Sequence, residues 1–167
     1  MTALEIYEAL KTALGETAIL KFDGENFDPF VVIAPGALRS VMQRLRDDPR
    51  LAFDYLVLVT AVDYPADDRI QVVYHLYSYV HYHKIVIKTD LPRQTPEIAS
   101  VADIYPAADW HEREQFDLMG VVFTGHPNLR RILCVEDWEG HPLRKDYKEP
   151  ESYHGIPTSA PPAGKND

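Results

Sequence analysis

Apolar side chains recur at helical spacing in the first fifteen residues. Leu4, Tyr7, Leu10 and Leu14 fall on one stripe. Thr2-Ala-Leu-Glu5 ahead of them reads as a capping box, in which hydroxyl and carboxylate satisfy the first free N–H groups, and Gly15 is a natural stop. Thr17 to Phe22 and Phe30 to Ile33 read as strands flanking a turn at Asp23-Gly24. Pro35 is suited to opening a helix, where its missing N–H costs nothing. Leu38, Val41, Met42 and Leu45 mark that helix's buried face, and Asp47-Asp48-Pro49 ends it.

The period then changes. Phe53 to Val62 is rich in β-branched and aromatic residues and short enough for a buried strand. Asp63 to Asp68 reads as a polar turn. Ile70 to Tyr77 and Lys84 to Thr89 read as strands joined by a hairpin loop, Ser78 to His83. Pro96 to Val101 is expected to be a short helix. Asp109 is placed to cap a further helix, Trp110 to Met119, with Glu112 completing a capping box, Arg113 and Asp117 pairing across one turn, and Gly120 closing it.

The order of elements implies an α+β fold in two layers, with helices packed on a mixed or mostly antiparallel sheet and an extended C-terminal segment. Three stretches follow: an α+β domain over 1–120, an aperiodic segment over 121–149 punctuated by glycine and proline, and a Pro-rich tail over 150–167, extended or disordered.

Composition narrows the function classes. The chain has 167 residues, 46% hydrophobic and 26% charged, which suits a globular domain. A net charge of -9 disfavours a nucleic-acid backbone or anionic lipid as the main partner. Cys134 is the single cysteine, too few for an iron–sulfur cluster or a thiolate zinc site. The longest apolar run, near Leu56 to Val62, falls short of the roughly 20 residues of a membrane helix, and the N-terminus has no signal-peptide pattern. Any membrane association is expected to be indirect, through partners.

No dinucleotide fingerprint, P-loop or nucleophile elbow is present. His81 and His83 have a spacing that suits a metal on one strand face, but no third ligand lies near in sequence. His111, His126 and His141 admit a metal-dependent enzyme as a reading of another class. Arg130-Arg131 and Arg144-Lys145 admit phosphate clamps; pairing with Glu136, Asp137, Glu139 and Asp146 in the same stretch is the plainer expectation. Trp138, Tyr147 and several arginines in a stretch without period suit a protein–protein contact.

These residues also carry a resemblance. EREQFDLMG (112–120), GHPNLRRIL (125–133) and EDWEGHPLRKDY (136–147) closely resemble the thirty-kilodalton subunit family of respiratory complex I, known in bacteria as the C-type subunit of NADH-quinone oxidoreductase. Glu112, Arg113, Glu114 and Asp117 stand at the spacing of the family signature, followed by His126, Arg130, Ile132 and Leu133. The resemblance implies a peripheral-arm subunit with no catalytic, cofactor or metal site of its own. FMN and iron–sulfur clusters are then expected in other subunits of a proton-translocating NADH-quinone oxidoreductase. The implied partners are the quinone-site subunit (D-type) and the subunit holding the terminal iron–sulfur cluster, on the cytoplasmic side of the cell membrane. The implied contact residues are Glu112, Arg113, Glu114, Asp117, His126, Pro127, Arg130, Arg131, Trp138, Arg144, Lys145, Asp146 and Tyr147. Similar subunits serve membrane-bound hydrogenases and ferredoxin- or F420-linked quinone reductases, so the electron donor stays open.

Overall fold

A computed structural model describes residues 1–158. Helix α1 (Ala3–Leu14) opens on the expected capping box: the Glu5 N–H donates to the Thr2 hydroxyl at 3.2 Å and the Thr2 N–H to the Glu5 carboxylate at 2.7 Å. Tyr7, Leu10 and Leu14 of the expected stripe pack against the core. Ile6 and Leu10 are enclosed, whereas Leu4 faces solvent. Strands β1 (Ile19–Asp23) and β2 (Phe30–Ile33) follow, then one 3-10 turn at Pro35–Ala37 leading into α2 (Leu38–Asp47). Leu38, Val41, Met42 and Leu45 form the buried face of α2.

Three long strands make the centre: β3 (Tyr55–Tyr64), β4 (Arg69–Ser78) and β5 (His83–Pro92). The five strands run in the order β1-β2-β5-β4-β3, antiparallel except for the β2–β5 pair. The sheet is therefore mixed. Period-two alternation sends Ile70, Val72, Tyr74 and Leu76 of β4, with Ile85, Ile87 and Leu91 of β5, into one core with the helices. Gln71, His75 and Tyr77 fall between them and stay half-exposed.

Pro96 to Val101 is not a helix. Glu97–Ala99 is a strand, β6, lying parallel to β7 (Val122–Thr124). The Val122 N–H donates to the Pro96 carbonyl and the Ser100 N–H to that of Thr124, both at 2.8 Å. These long-range bonds satisfy backbone groups that a single isolated turn of helix would leave open. Helix α3 (Ala108–Met119) lies along β3, the edge strand of the large sheet. The Gln115 side chain accepts the outward Ala61 N–H at 3.0 Å, so the helix closes part of that edge. Within the stretch 150–167, β8 (Ser152–Tyr153) and β9 (Ile156–Pro157) form a small hairpin; residues 159–167 of that tail lie outside the described residues. No helix among the described residues is long and apolar enough to cross a membrane.

Candidate functional site: a strap across the end of helix α3

Helix α3 buries polar side chains: Glu112, Gln115 and Asp117 are enclosed while Trp110 is exposed. Each buried group is matched by a specific partner. Asp117 sits in the last turn. One carboxylate oxygen accepts the N–H groups of Ile132, Leu133 and Cys134 at 3.0, 2.8 and 2.8 Å. The other receives the Arg131 guanidinium at 2.7 Å. Burial alone would raise its pKa, but the N–H groups and the guanidinium outweigh it and hold the carboxyl at about 2.

The same stretch, a strap over residues 131–147, caps the helix. An α-helix leaves its last four carbonyls without internal partners. Here the Asp117 carbonyl accepts from His141 Nδ1 at 3.0 Å and from Arg131, the Leu118 carbonyl accepts the Leu143 N–H at 3.0 Å, and the Met119 carbonyl accepts Arg144 Nε at 2.8 Å. Cationic donors at this pole also complement the helix dipole. Burial of the His141 ring pushes its pKa down. Gly120 makes the approach possible. Its φ is +73°, and a Cβ there would stand 2.5 Å from the His141 ring and 2.9 Å from the Arg144 guanidinium.

The strap is pinned again at the end of β3. Arg93 donates to both oxygens of Asp63 at 2.7 and 3.0 Å, and also to Asp146 at 2.6 Å. The Lys145 N–H donates to Asp63 at 3.0 Å. Arg93 holds the carboxyls of Asp63 and Asp146 below the usual carboxylate range.

At the other end of α3 the capping box is absent. The helix begins at Ala108 behind Ala107, with no side-chain cap. Glu112 turns instead to the loop after β6, accepting the Ser100 hydroxyl at 2.5 Å and the Val101 N–H at 2.8 Å. Those buried groups have no helix to serve them, so the tertiary contact displaces the local one. Burial pushes the Glu112 carboxyl up to about 7, against the lowering effect of Ser100 and Val101, while Asp103 and Asp109 add to the rise. His126 lies beside this group, with Nε2 4.0 Å from Glu112. Its Nδ1 accepts the Asn128 N–H, so Nε2 donates, to the Asp109 carbonyl at 3.1 Å.

The structure thus brings Asp117, Arg131, Arg144, Lys145 and Asp146 to one strap, with Trp138 contributing its carbonyl to Arg131 at 2.8 Å. Tyr147 packs its ring against Gly140. Glu112 and His126 form a separate buried group. Pro127 and Arg130 are exposed on the turn between them and the strap. Arg113 does not pair with Asp117: it donates to the carbonyls of Arg130 and Arg131 at 3.3 and 3.4 Å, because Arg131 already holds Asp117. Nor do Arg131 and Arg144 pair with the nearby acids of their own stretch, or Asp146 with its nearby bases. Their partners are Asp117, the carbonyl of Met119 and Arg93. Asp63 and Arg93 anchor the strap although nothing in their local sequence marks them. His141, which the sequence offers as a metal ligand, instead caps the helix. His81 and His83 each place Nε2 on a backbone carbonyl, of Pro49 and Leu51, at 2.8 and 2.7 Å.

Fold and site together define an α+β domain fastened by its own C-terminal stretch. The chain belongs to the family of the respiratory-chain NADH dehydrogenase 30 kDa subunit, whose family model matches residues 31–153. It is 44% identical over 152 residues to the C-type subunit of NADH-quinone oxidoreductase from Chloroherpeton thalassium, covering 90% of this chain and 62% of that relative. It is 42% identical over 156 residues to the corresponding subunit from Chlorobium phaeobacteroides, covering 92% and 93%. Among solved structures, the membrane-bound sulfane sulfur reductase, an archaeal respiratory membrane complex, holds a chain with TM-score 0.73 and 25% identity, covering 87% of this chain and 85% of that one. A trypsin-resistant fragment (1–134) of Nqo5 shares the fold, with TM-score 0.64 and 24% identity, covering 77% and 100%.

Proposed function

We propose that this chain is a peripheral-arm subunit of a proton-translocating NADH-quinone oxidoreductase of the complex I type. It holds no flavin, iron–sulfur cluster or quinone itself and acts as a scaffold. The α+β block docks on the quinone-site subunit and near the terminal iron–sulfur subunit, on the cytoplasmic side of the membrane. Electrons pass from NADH to quinone through centres in other subunits. One observation carries this reading beyond family membership. Asp117, Arg131 and Arg144, within the family motifs, tie the strap down from inside, while Trp110 on α3 and Leu133, Val135 and Leu143 on the strap stay exposed on the surface. Large apolar side chains displayed on a fixed backbone suit a permanent protein contact. In this reading Glu112, Arg113, Glu114, Asp117, His126 and Arg131 shape the contact surface rather than reacting.

The likeness to the sulfane sulfur reductase complex favours a second reading, the equivalent subunit in a related machine with another electron donor. Co-purification of the tagged chain, with partners identified by mass spectrometry, tests both. Flavin- and NADH-binding subunits in the complex support the first reading; their replacement by another donor module supports the second. Arg113→Glu is expected to lower assembly and quinone reductase activity together. Normal assembly with lost activity would overturn the scaffold role.

A further inference from the structure

Between α3 and the strap lies an open groove of about 670 Å³. Ala107, Trp110, His111 and Glu114 line it along one helical stripe, and Ile132 and Leu133 face them from the strap. Trp110 is 71% exposed and Leu133 64%. Water against these walls is unfavourable, and tryptophan is among the side chains that most often anchor interfaces. The groove also holds one unusual charge. Glu114 is half-buried and has no hydrogen bond or ion pair among the described residues. Its neighbours are engaged elsewhere: Glu112 with Ser100, Asp117 with Arg131, and Arg113 with the carbonyls of Arg130 and Arg131.

An unpaired carboxylate against apolar walls gains most from a cation that arrives as water leaves, because the attraction strengthens as the local dielectric falls. Trp110 and Glu114 are four residues apart on α3, so they are neighbours on its surface. A guanidinium meets both needs at once, stacking on the indole and pairing with the carboxylate in a planar fork. We propose that the groove seats a segment of a partner subunit in which an apolar side chain lies beside an arginine. The apolar group fills the space between Trp110 and Leu133, and the arginine closes on Glu114. This rests on the subunit reading above and names the chemistry of the segment that reading requires.

The test uses the assembled complex with a photoreactive benzoylphenylalanine in place of Leu133. The expected product is a cross-link to a partner subunit, in a peptide where an apolar residue adjoins an arginine. Glu114→Arg is expected to lower its yield about tenfold, and Glu114→Gln less. Changing the identified arginine to glutamate should restore the yield in the Glu114→Arg background. Thermal unfolding of each purified chain checks that the fold survives; should Glu114→Arg fail it, Glu114→Gln and the arginine change carry the comparison. A cross-link to a second copy, to lipid or to nothing in an intact complex overturns the groove assignment alone. So does a yield that Glu114 substitution leaves unchanged. Failure of the wild-type chain to co-purify with any partner overturns the subunit reading instead.

Discussion

Asp117 and Arg131 meet at 2.7 Å at the carbonyl end of α3, and the next three residues of the strap donate their N–H groups to the same carboxylate. Four consecutive residues are thus fastened to one side chain. The contact is enclosed on the helix side, with Asp117 fully buried.

Asp117→Ala removes every one of those acceptors and strands a partly buried guanidinium. The expected loss is about 3–5 kcal/mol of stability. Urea denaturation measures it, and limited proteolysis should show new cleavage between residues 130 and 146. A loss under about 1 kcal/mol with an intact strap would refute the assigned role.

Gly120→Ala combines a left-handed backbone with a collision. The conformation alone costs about 1–2 kcal/mol for a residue with a Cβ. The His141 ring, 2.5 Å from that Cβ, must also move. In a His141→Ala background the collision disappears, so Gly120→Ala should cost less there than in the native chain. A double-mutant cycle by chemical denaturation reads the difference directly. Strict additivity would mean that the ring is not held against the glycine.

Glu112 makes stability fall as pH rises. Its carboxyl stands at about 7 in the folded chain against 4.5 ordinarily. The folded state therefore holds the proton more tightly, and the stability this confers is present below pH 4.5 and lost as pH climbs through 7. Asp117 acts in the opposite sense at lower pH. Its contribution is present above 3.8 and lost as pH falls through 2. Glu112→Gln keeps a side chain of similar shape without the titration. Its stability relative to the native chain should rise between pH 4.5 and 7, then level off, by an amount on the order of 3 kcal/mol. A flat difference across that range would place the proton elsewhere.

Asp63 and Arg93 are both shielded from solvent, and Lys145 and Asp146 hang from them. Arg93→Ala leaves the Asp63 carboxylate without its cation, so the unfolding midpoint should fall and trypsin should cut faster after Arg144 and Lys145. The double change Asp63→Leu with Arg93→Met removes both charges and is expected to destabilise less than the single one. Unchanged cleavage in Arg93→Ala would show that the strap is held by α3 alone.

The alternation of β4 and β5 and the apolar face of α2 were legible in the sequence because each depends on residues a few positions apart. Strand β6 was not, since its partner, β7, comes more than twenty residues later. The capping role read for Glu112 was a sound local rule overtaken by a distant demand, the buried groups of Ser100 and Val101. Charge pairing misled for a related reason. Proximity along the chain suggested Glu136 and Asp137 for the arginines, whereas the fold delivers Asp117 to Arg131 and Arg93 to Asp146. The family motifs identified most of the strap, but Asp63 and Arg93 sit at strand ends where a charged residue is commonplace, and only their meeting across the sheet gives them meaning.

The bond from Lys145 to Asp63 joins positions 82 apart, and that from Asp146 to Arg93 joins positions 53 apart. During synthesis the sheet and α3 emerge first and are able to fold before the strap leaves the ribosome. The strap then closes on receptors already in place. The groove beside α3 gains its Leu133 wall only at that point, so a chain still being made does not present the finished surface. Closure of the strap orders biogenesis: only a chain whose strap has closed has a complete face to offer.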